Sequence, residues 1–218
     1  MLNIDSRAHG KSRPSNSSER LYDSCSKDIL SLLKFHKIKK VVIVGYPLGG
    51  LIGLHFYKKF PSKVGGMILI DSSSTLSFKT VNRKMAVLAP LAFSINFLAE
   101  ILRPILGRKE VNFKNLKNAS TLKIIFFSSY IISLKDILRY VRQGMAIDLK
   151  NIFSRVNVPV LIIEPKKDQI FKPKSFFEME KMIKYSDLEF INGDHSKPLR
   201  DPVLMIKIIK KFLEENAA

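Results

Sequence analysis

Cysteine is nearly absent from this chain. Cys25 stands alone among 218 residues, which excludes an internal disulfide framework and any cysteine-based zinc cluster. That usage fits a reducing compartment, and a cytoplasmic location is the expectation. No secretory leader is expected either: the opening MLNIDSRAHGKS is polar where a secretory signal carries its hydrophobic core. No uninterrupted membrane-length run occurs. The nearest approach, Met85 to Leu106, is broken by Pro90, Asn96, Glu100, Arg103 and Pro104, so it reads as a buried or interfacial helix. Acidic residues are scarce, 19 Asp and Glu against 37 Lys and Arg, for a formal charge of +18. Such a field attracts phosphates, anionic lipid headgroups and acidic partners. The lysines are scattered and lack the aromatic interleaving of RNA readers, so no specific nucleic-acid partner is expected. An anionic membrane surface stays open as a partner.

What is present suits a folded core. Hydrophobic residues make up 46% and charged residues 26%, which excludes a disordered or collagen-like chain. The length fits one domain, or one domain carrying an inserted cap. Three runs, Lys40–Val44, Met67–Ile70 and Val158–Ile163, are continuously apolar and β-branched, as strands covered on both faces require. A weaker strand is expected at Leu188–Ile191. Helical spacing appears from Ser17 or Ser18 to about Lys37, from Pro47 to before Pro61, over Lys174–Lys184, and over Pro202–Glu215. Strand and helix therefore alternate, which predicts an α/β fold with a mostly parallel sheet and helices on both faces. Residues 75–155 break the alternation with helical stretches alone. They are expected to form a helical cap over the carboxyl edge of the sheet, leaving 1–74 and 156–218 as the core.

The strand at Lys40–Val44 runs straight into Gly45-Tyr46-Pro47-Leu48-Gly49-Gly50 and then a helix. This resembles the G-x-S-x-G nucleophile elbow of the α/β-hydrolase superfamily (AB hydrolase-1 type), with the central position changed. Other landmarks follow in the family's order. Asp5 to Ser12 resembles its D-x-R-G-H-G-x-S segment, and Asp71 sits where members often carry an Asp before small residues. Val158 to Asp168 is similar to the strand and turn that present the catalytic acid. Gly193-Asp194-His195 is similar to the turn that presents the catalytic histidine. The resemblance covers the chain outside the 75–155 segment. It implies an α/β-hydrolase fold and carboxylic-ester-type hydrolysis, with neither cofactor nor metal. His195 is implied as the base and Asp168 as its orienting acid, with Leu48 and Tyr46 at the oxyanion and substrate side. A small apolar acyl or ester compound is the implied ligand under the cap.

The residue matching the nucleophile is Pro47, which has no hydroxyl. The family's elbow residue holds a strained positive φ, whereas proline is fixed near −65°. The turn is therefore expected to relax, with Pro47 joining the start of the helix and re-aiming the Leu48 N–H. The family's N-terminal strands have no counterpart before Asp5, so a Leu2–Ile4 strand is expected either to pair with Lys40–Val44 or to stand at an edge. Ser12, Ser72, Ser73 and Ser74 are not expected to replace the nucleophile, and Cys25 lacks a nearby histidine. His9 is read as capping a turn, and His36 and His55 as surface or packed side chains. Phe93, Phe97, Phe126, Phe127 and Tyr130 are read as core, or as the lining of an acyl pocket. Three functions stay open: a hydrolase-lineage protein impaired at Pro47, a serine-independent enzyme using a His195–Asp168 general base, and a basic membrane-surface or ligand-binding protein.

Overall fold

A computed structural model describes residues 1–12, 20–76, 80–81, 94, 97–98, 101 and 132–216 of the chain. In chain order the elements are α1 (Leu21–Phe35), β1 (Val41–Gly45), α2 (Leu48–Lys59), β2 (Val64–Ile70), α3 (Leu134–Ala146), β3 (Val160–Pro165), α4 (Pro173–Met182), β4 (Ser186–Ile191), α5 (Lys197–Arg200) and α6 (Pro202–Glu215). The four strands form one sheet in the order β1-β2-β3-β4, and every neighbouring pair is parallel. Parallel neighbours need crossovers, which α2 supplies between β1 and β2 and α4 between β3 and β4.

Two apolar layers hold helices to the sheet. On one face Leu54, Phe56, Leu69, Ile162, Phe176 and Met179 are fully buried and join α2 and α4 to β2 and β3. On the other, Met205, Ile208 and Phe212 of α6 cover Ile68, Ile70, Leu161, Ile163 and Ile191. Each buried side chain of this size contributes roughly 1.5–3 kcal/mol. Stripping either layer would therefore exceed the ~5–15 kcal/mol net stability of an ordinary domain. Within the 75–155 excursion, Tyr140, Leu149, Ile152 and Phe153 belong to the first layer.

Several details depart from the sequence expectations. Leu2–Ile4 forms no strand, so β1 is the edge of the described sheet. Nor is β1 covered on both faces. Its burial alternates, and Val42 and Val44 are 38% and 47% exposed because α6 lies over β2, β3 and β4 instead. β2 begins at Val64, three residues ahead of the apolar run, since Gly65 and Gly66 hide the strand signal; Val64 and Gly66 pair with Val41 and Val42 of β1, and the register shifts at Gly65 between them. α1 starts at Leu21 without a side-chain cap from its own neighbours; Gln143 of α3 accepts from the Leu21 N–H at 2.6 Å. The proposed caps Ser17 and Ser18 lie outside the described residues, as do Phe93, Phe126, Phe127, Tyr130 and most of Met85–Leu106. Phe97, Leu98 and Ile101 are more than half exposed. Among the described residues no helix is long and apolar enough to cross a membrane.

Candidate active site

The carboxyl ends of β1 through β4 bring together residues far apart in sequence. The turn after β3 carries Asp168, whose Oδ1 accepts from the N–H groups of Ile170 and, at 2.9 Å, Phe171. With that oxygen fixed, Oδ2 points to His195 Nδ1 at 2.8 Å. The histidine's own turn, after β4, is tied to the acid's turn by backbone bonds. Lys166 N–H donates to Ile191 O and Lys167 N–H to Gly193 O, both at 2.9 Å. Gly193 has φ +147°, and a Cβ there would meet Lys197 Cβ at 2.6 Å, so only glycine lets the chain turn this tightly before His195. The Tyr46 hydroxyl donates to the carbonyl of His195 at 2.7 Å, with ring centroids 5.6 Å apart.

Pro47 closes the turn after β1 at φ −71° and ψ −38°, in the right-handed helical region. Helix α2 begins one residue later at Leu48, which is half-buried against the core, with its N–H among the open donors of a helix start. Behind the turn, Ser72 Oγ lies 2.8–3.3 Å from the carbonyls of Ile70, Pro47 and Gly45, and its single proton goes to one of them at a time.

Sequence reasoning assigned no role to Asp71. It directly follows β2, next to β3 in the sheet, with φ +51°, and its Oδ2 lies 2.6 Å from His195 Nδ1. Its position at a strand's carboxyl end was the available signal; that β2 and β3 are neighbours was not. Glu164 on β3 is also buried nearby, and its Oε2, like Ser73 Oγ, has no hydrogen-bond partner among the described residues.

These groups set one another's charges. Burial pushes the Asp71 carboxyl up to about 8, and its hydrogen bond to Asp168 adds to this against the pull of His195. Burial opposes charge on Asp168 as well, but hydrogen bonds from His195 and Asp71 outweigh it and hold Asp168 at about 2. Burial alone would lower His195, yet its contacts with Asp168 and Asp71 raise it to about 9. Glu164 is pushed up to about 8, by burial first and then by the two aspartates. Near neutrality the cluster is therefore an imidazolium, one carboxylate and two neutral acids. It can donate a proton there, and it accepts one only towards alkaline pH.

The donor atoms of Asp71, Asp168 and His195 all lie within 4.8 Å of one another, a set that can ligate a metal. They touch at 2.6 and 2.8 Å. Ligands around a tetrahedral ion with bonds of about 2.0–2.2 Å stand further apart, at about 3.3 Å, so this set would have to open first. Of the other histidines, His9 donates from Nδ1 to Arg7 O at 3.1 Å. His36 caps the end of α1, and His55 is buried on α2 against Ser26 Oγ at 3.0 Å. Cys25 is buried with Sγ 3.2 Å from the Tyr140 hydroxyl.

The family model of the alpha/beta hydrolase fold matches residues 2–197. The pimeloyl-[acyl-carrier protein] methyl ester esterase of Wigglesworthia glossinidia brevipalpis is 27% identical over 188 residues, covering 81% of this chain and 71% of that protein. A putative 2-succinyl-6-hydroxy-2,4-cyclohexadiene-1-carboxylate synthase of Bacillus subtilis is 26% identical over 235 residues, covering 98% and 80%. Among solved structures, a thermophilic esterase from Thermogutta terrifontis superposes with a TM-score of 0.73 at 17% identity, over 97% of this chain and 78% of that one.

Proposed function

This chain belongs to the alpha/beta hydrolase fold family, and from that premise we propose that it is a member of esterase lineage in which acyl transfer is impaired at Pro47. The ligand class carried over is a small apolar acyl or ester compound, in keeping with a methyl ester esterase among its relatives. Residues 75–155 are the proposed cap over it. His195 and Asp168 keep the roles of imidazole and orienting acid, and Leu48 and Tyr46 lie on the ligand side.

One observation supports the reading: the position after Tyr46 is a proline with helical backbone angles. Acyl transfer by this family's route needs an alcohol whose proton passes to the imidazole as its oxygen attacks the carbonyl. A pyrrolidine ring has no such proton. Among the described residues, the Ser72 hydroxyl behind the turn is fully buried against three backbone carbonyls. An imidazole that is protonated near neutrality also makes a poor acceptor for a serine proton.

Hydrolysis of p-nitrophenyl acetate and butyrate, compared between wild type and His195→Ala, tests this. The two are expected to be indistinguishable. A wild-type rate about 100-fold or more above the variant, the scale of a working acid–base group, contradicts the proposal.

A further inference from the structure

The end of α1 and the chain leading from it into β1 read Lys34-Phe35-His36-Lys37-Ile38-Lys39-Lys40. Phe35 is 80% exposed, with its ring edge-on to the exposed His36 at a centroid distance of 5.0 Å. Lys34, Lys37, Lys39 and Lys40 are all exposed. Val41 pairs with Val64, so Lys40 and Lys63 stand side by side where β1 and β2 begin. Among the described residues none of these five ammonium groups has an ion-pair partner. One cation at a helix end answers the macrodipole. Five, spread over a helix end, a connection and two strand starts, exceed what the dipole needs. The close of α1 points the same way. The Ile38 N–H donates to Leu33 O at 2.8 Å, and the residue that reverses the chain there is Lys37, at φ +54°. Glycine strains the backbone least in that conformation, yet a lysine holds the position.

We propose that this corner of the fold docks on an anionic lipid bilayer, with Phe35 entering the headgroup layer and the five lysines facing its charge. A bilayer surface takes up both features at once: the ring gains apolar burial and the lysines gain attraction. The net charge of +18 draws the whole chain towards the same surface. Nucleic acid fits the corner less well. It would engage the lysines, but residues 34–40 offer a single ring for stacking and no amide or carboxylate to read base edges. The corner lies at the amino ends of β1 and β2, whereas Asp168 and His195 follow the carboxyl ends of β3 and β4. Docking here leaves the candidate site at the far end of the sheet, so the proposal is independent of what His195 does.

Vesicle flotation of the full chain tests this, with phosphatidylcholine alone and with about 30% phosphatidylserine added, at about 0.1 M and about 1 M salt. Wild type is expected to float with the anionic vesicles alone, and at the lower salt alone. Each lysine at an anionic surface strengthens binding about fivefold, so Lys39→Glu/Lys40→Glu is expected to weaken it about 25-fold or more. Phe35→Ala is expected to weaken it about tenfold, the lower end for burying such a ring. Lys166→Glu/Lys167→Glu makes the same change of charge in the turn after β3 and is expected to float like wild type. All five substituted side chains are exposed, so the fold does not depend on them. Equal losses in the two double variants would trace the attraction to net charge and overturn the proposal. So would Phe35→Ala floating like wild type, or wild type floating on phosphatidylcholine alone. A wild type that stays off anionic vesicles overturns it as well, whether or not it binds an oligonucleotide or polyglutamate.

Discussion

Ser72 Oγ lies 2.9 Å from the carbonyl oxygen of Pro47, which clamps the end of β2 to the turn that opens α2. The clamp works only because Gly50 lets the helix approach. A Cβ at position 50 would meet Ser72 Oγ at 2.0 Å and Ser72 Cβ at 2.4 Å. Gly50→Ala is therefore expected to destabilise the fold by about 1–3 kcal/mol, overpacking that outweighs the gain in helix propensity. Urea denaturation checks this; a variant as stable as wild type would mean that the helix can lift from β2 freely.

The buried cluster predicts an unusual pH dependence. Asp168 ionises at about 2 when folded against 3.8 ordinarily, so its contribution is present above 3.8 and lost as pH falls through about 2. The other groups run oppositely. Asp71, Glu164 and His195 hold their protons to about 8, 8 and 9 when folded, against 3.8, 4.5 and 6.5 ordinarily. Their contributions are complete at low pH and lost as pH rises through those folded values. The cluster's contribution should thus peak near pH 4 and decline towards pH 9. Glu164→Gln removes one of these protons and should flatten the decline by about 1.4 kcal/mol per pH unit between pH 5 and 8. Urea midpoints measured across pH for both proteins check it.

Much of this was legible in the sequence. Continuous β-branched runs located β1, β2 and β3, and the helical spacing from Pro202 located α6, whose cap, Asp201 on the Leu204 N–H at 3.1 Å, the structure supplies. The family resemblance implied the acid and the histidine, and the turns that carry them lie side by side. What was illegible depends on lateral neighbours. Asp71 reaches His195 only because β2 lies next to β3, an adjacency that sequence order does not state. Gln143 caps α1 from more than a hundred residues away, and the exposure of Val42 and Val44 depends on which strands α6 covers.

Tyr46→Phe removes the hydroxyl that holds the His195 carbonyl at 2.7 Å. A buried hydrogen bond of this kind contributes about 0.5–1.5 kcal/mol, and the carbonyl left behind loses its partner. The variant is expected to unfold at correspondingly lower urea, and the amides of residues 193–196 should exchange hydrogen faster. Unchanged exchange there would show that the turn after β4 does not need Tyr46.

Cys25 is 2% exposed, and burial pushes its thiol up, so little thiolate is present. Ellman's reagent is expected to react with it about 100-fold or more slowly in the native protein than in 6 M guanidinium, because attack awaits opening. Equal rates would mean that α1 separates readily from Tyr140.

The account's central claim concerns an alcohol that position 47 cannot supply. Incubation with a fluorophosphonate, followed by intact-mass analysis and peptide mapping, tests it most directly. The predicted result is an unmodified chain after a time that fully labels a serine esterase run alongside. A stoichiometric adduct on any serine, abolished by His195→Ala, would contradict it.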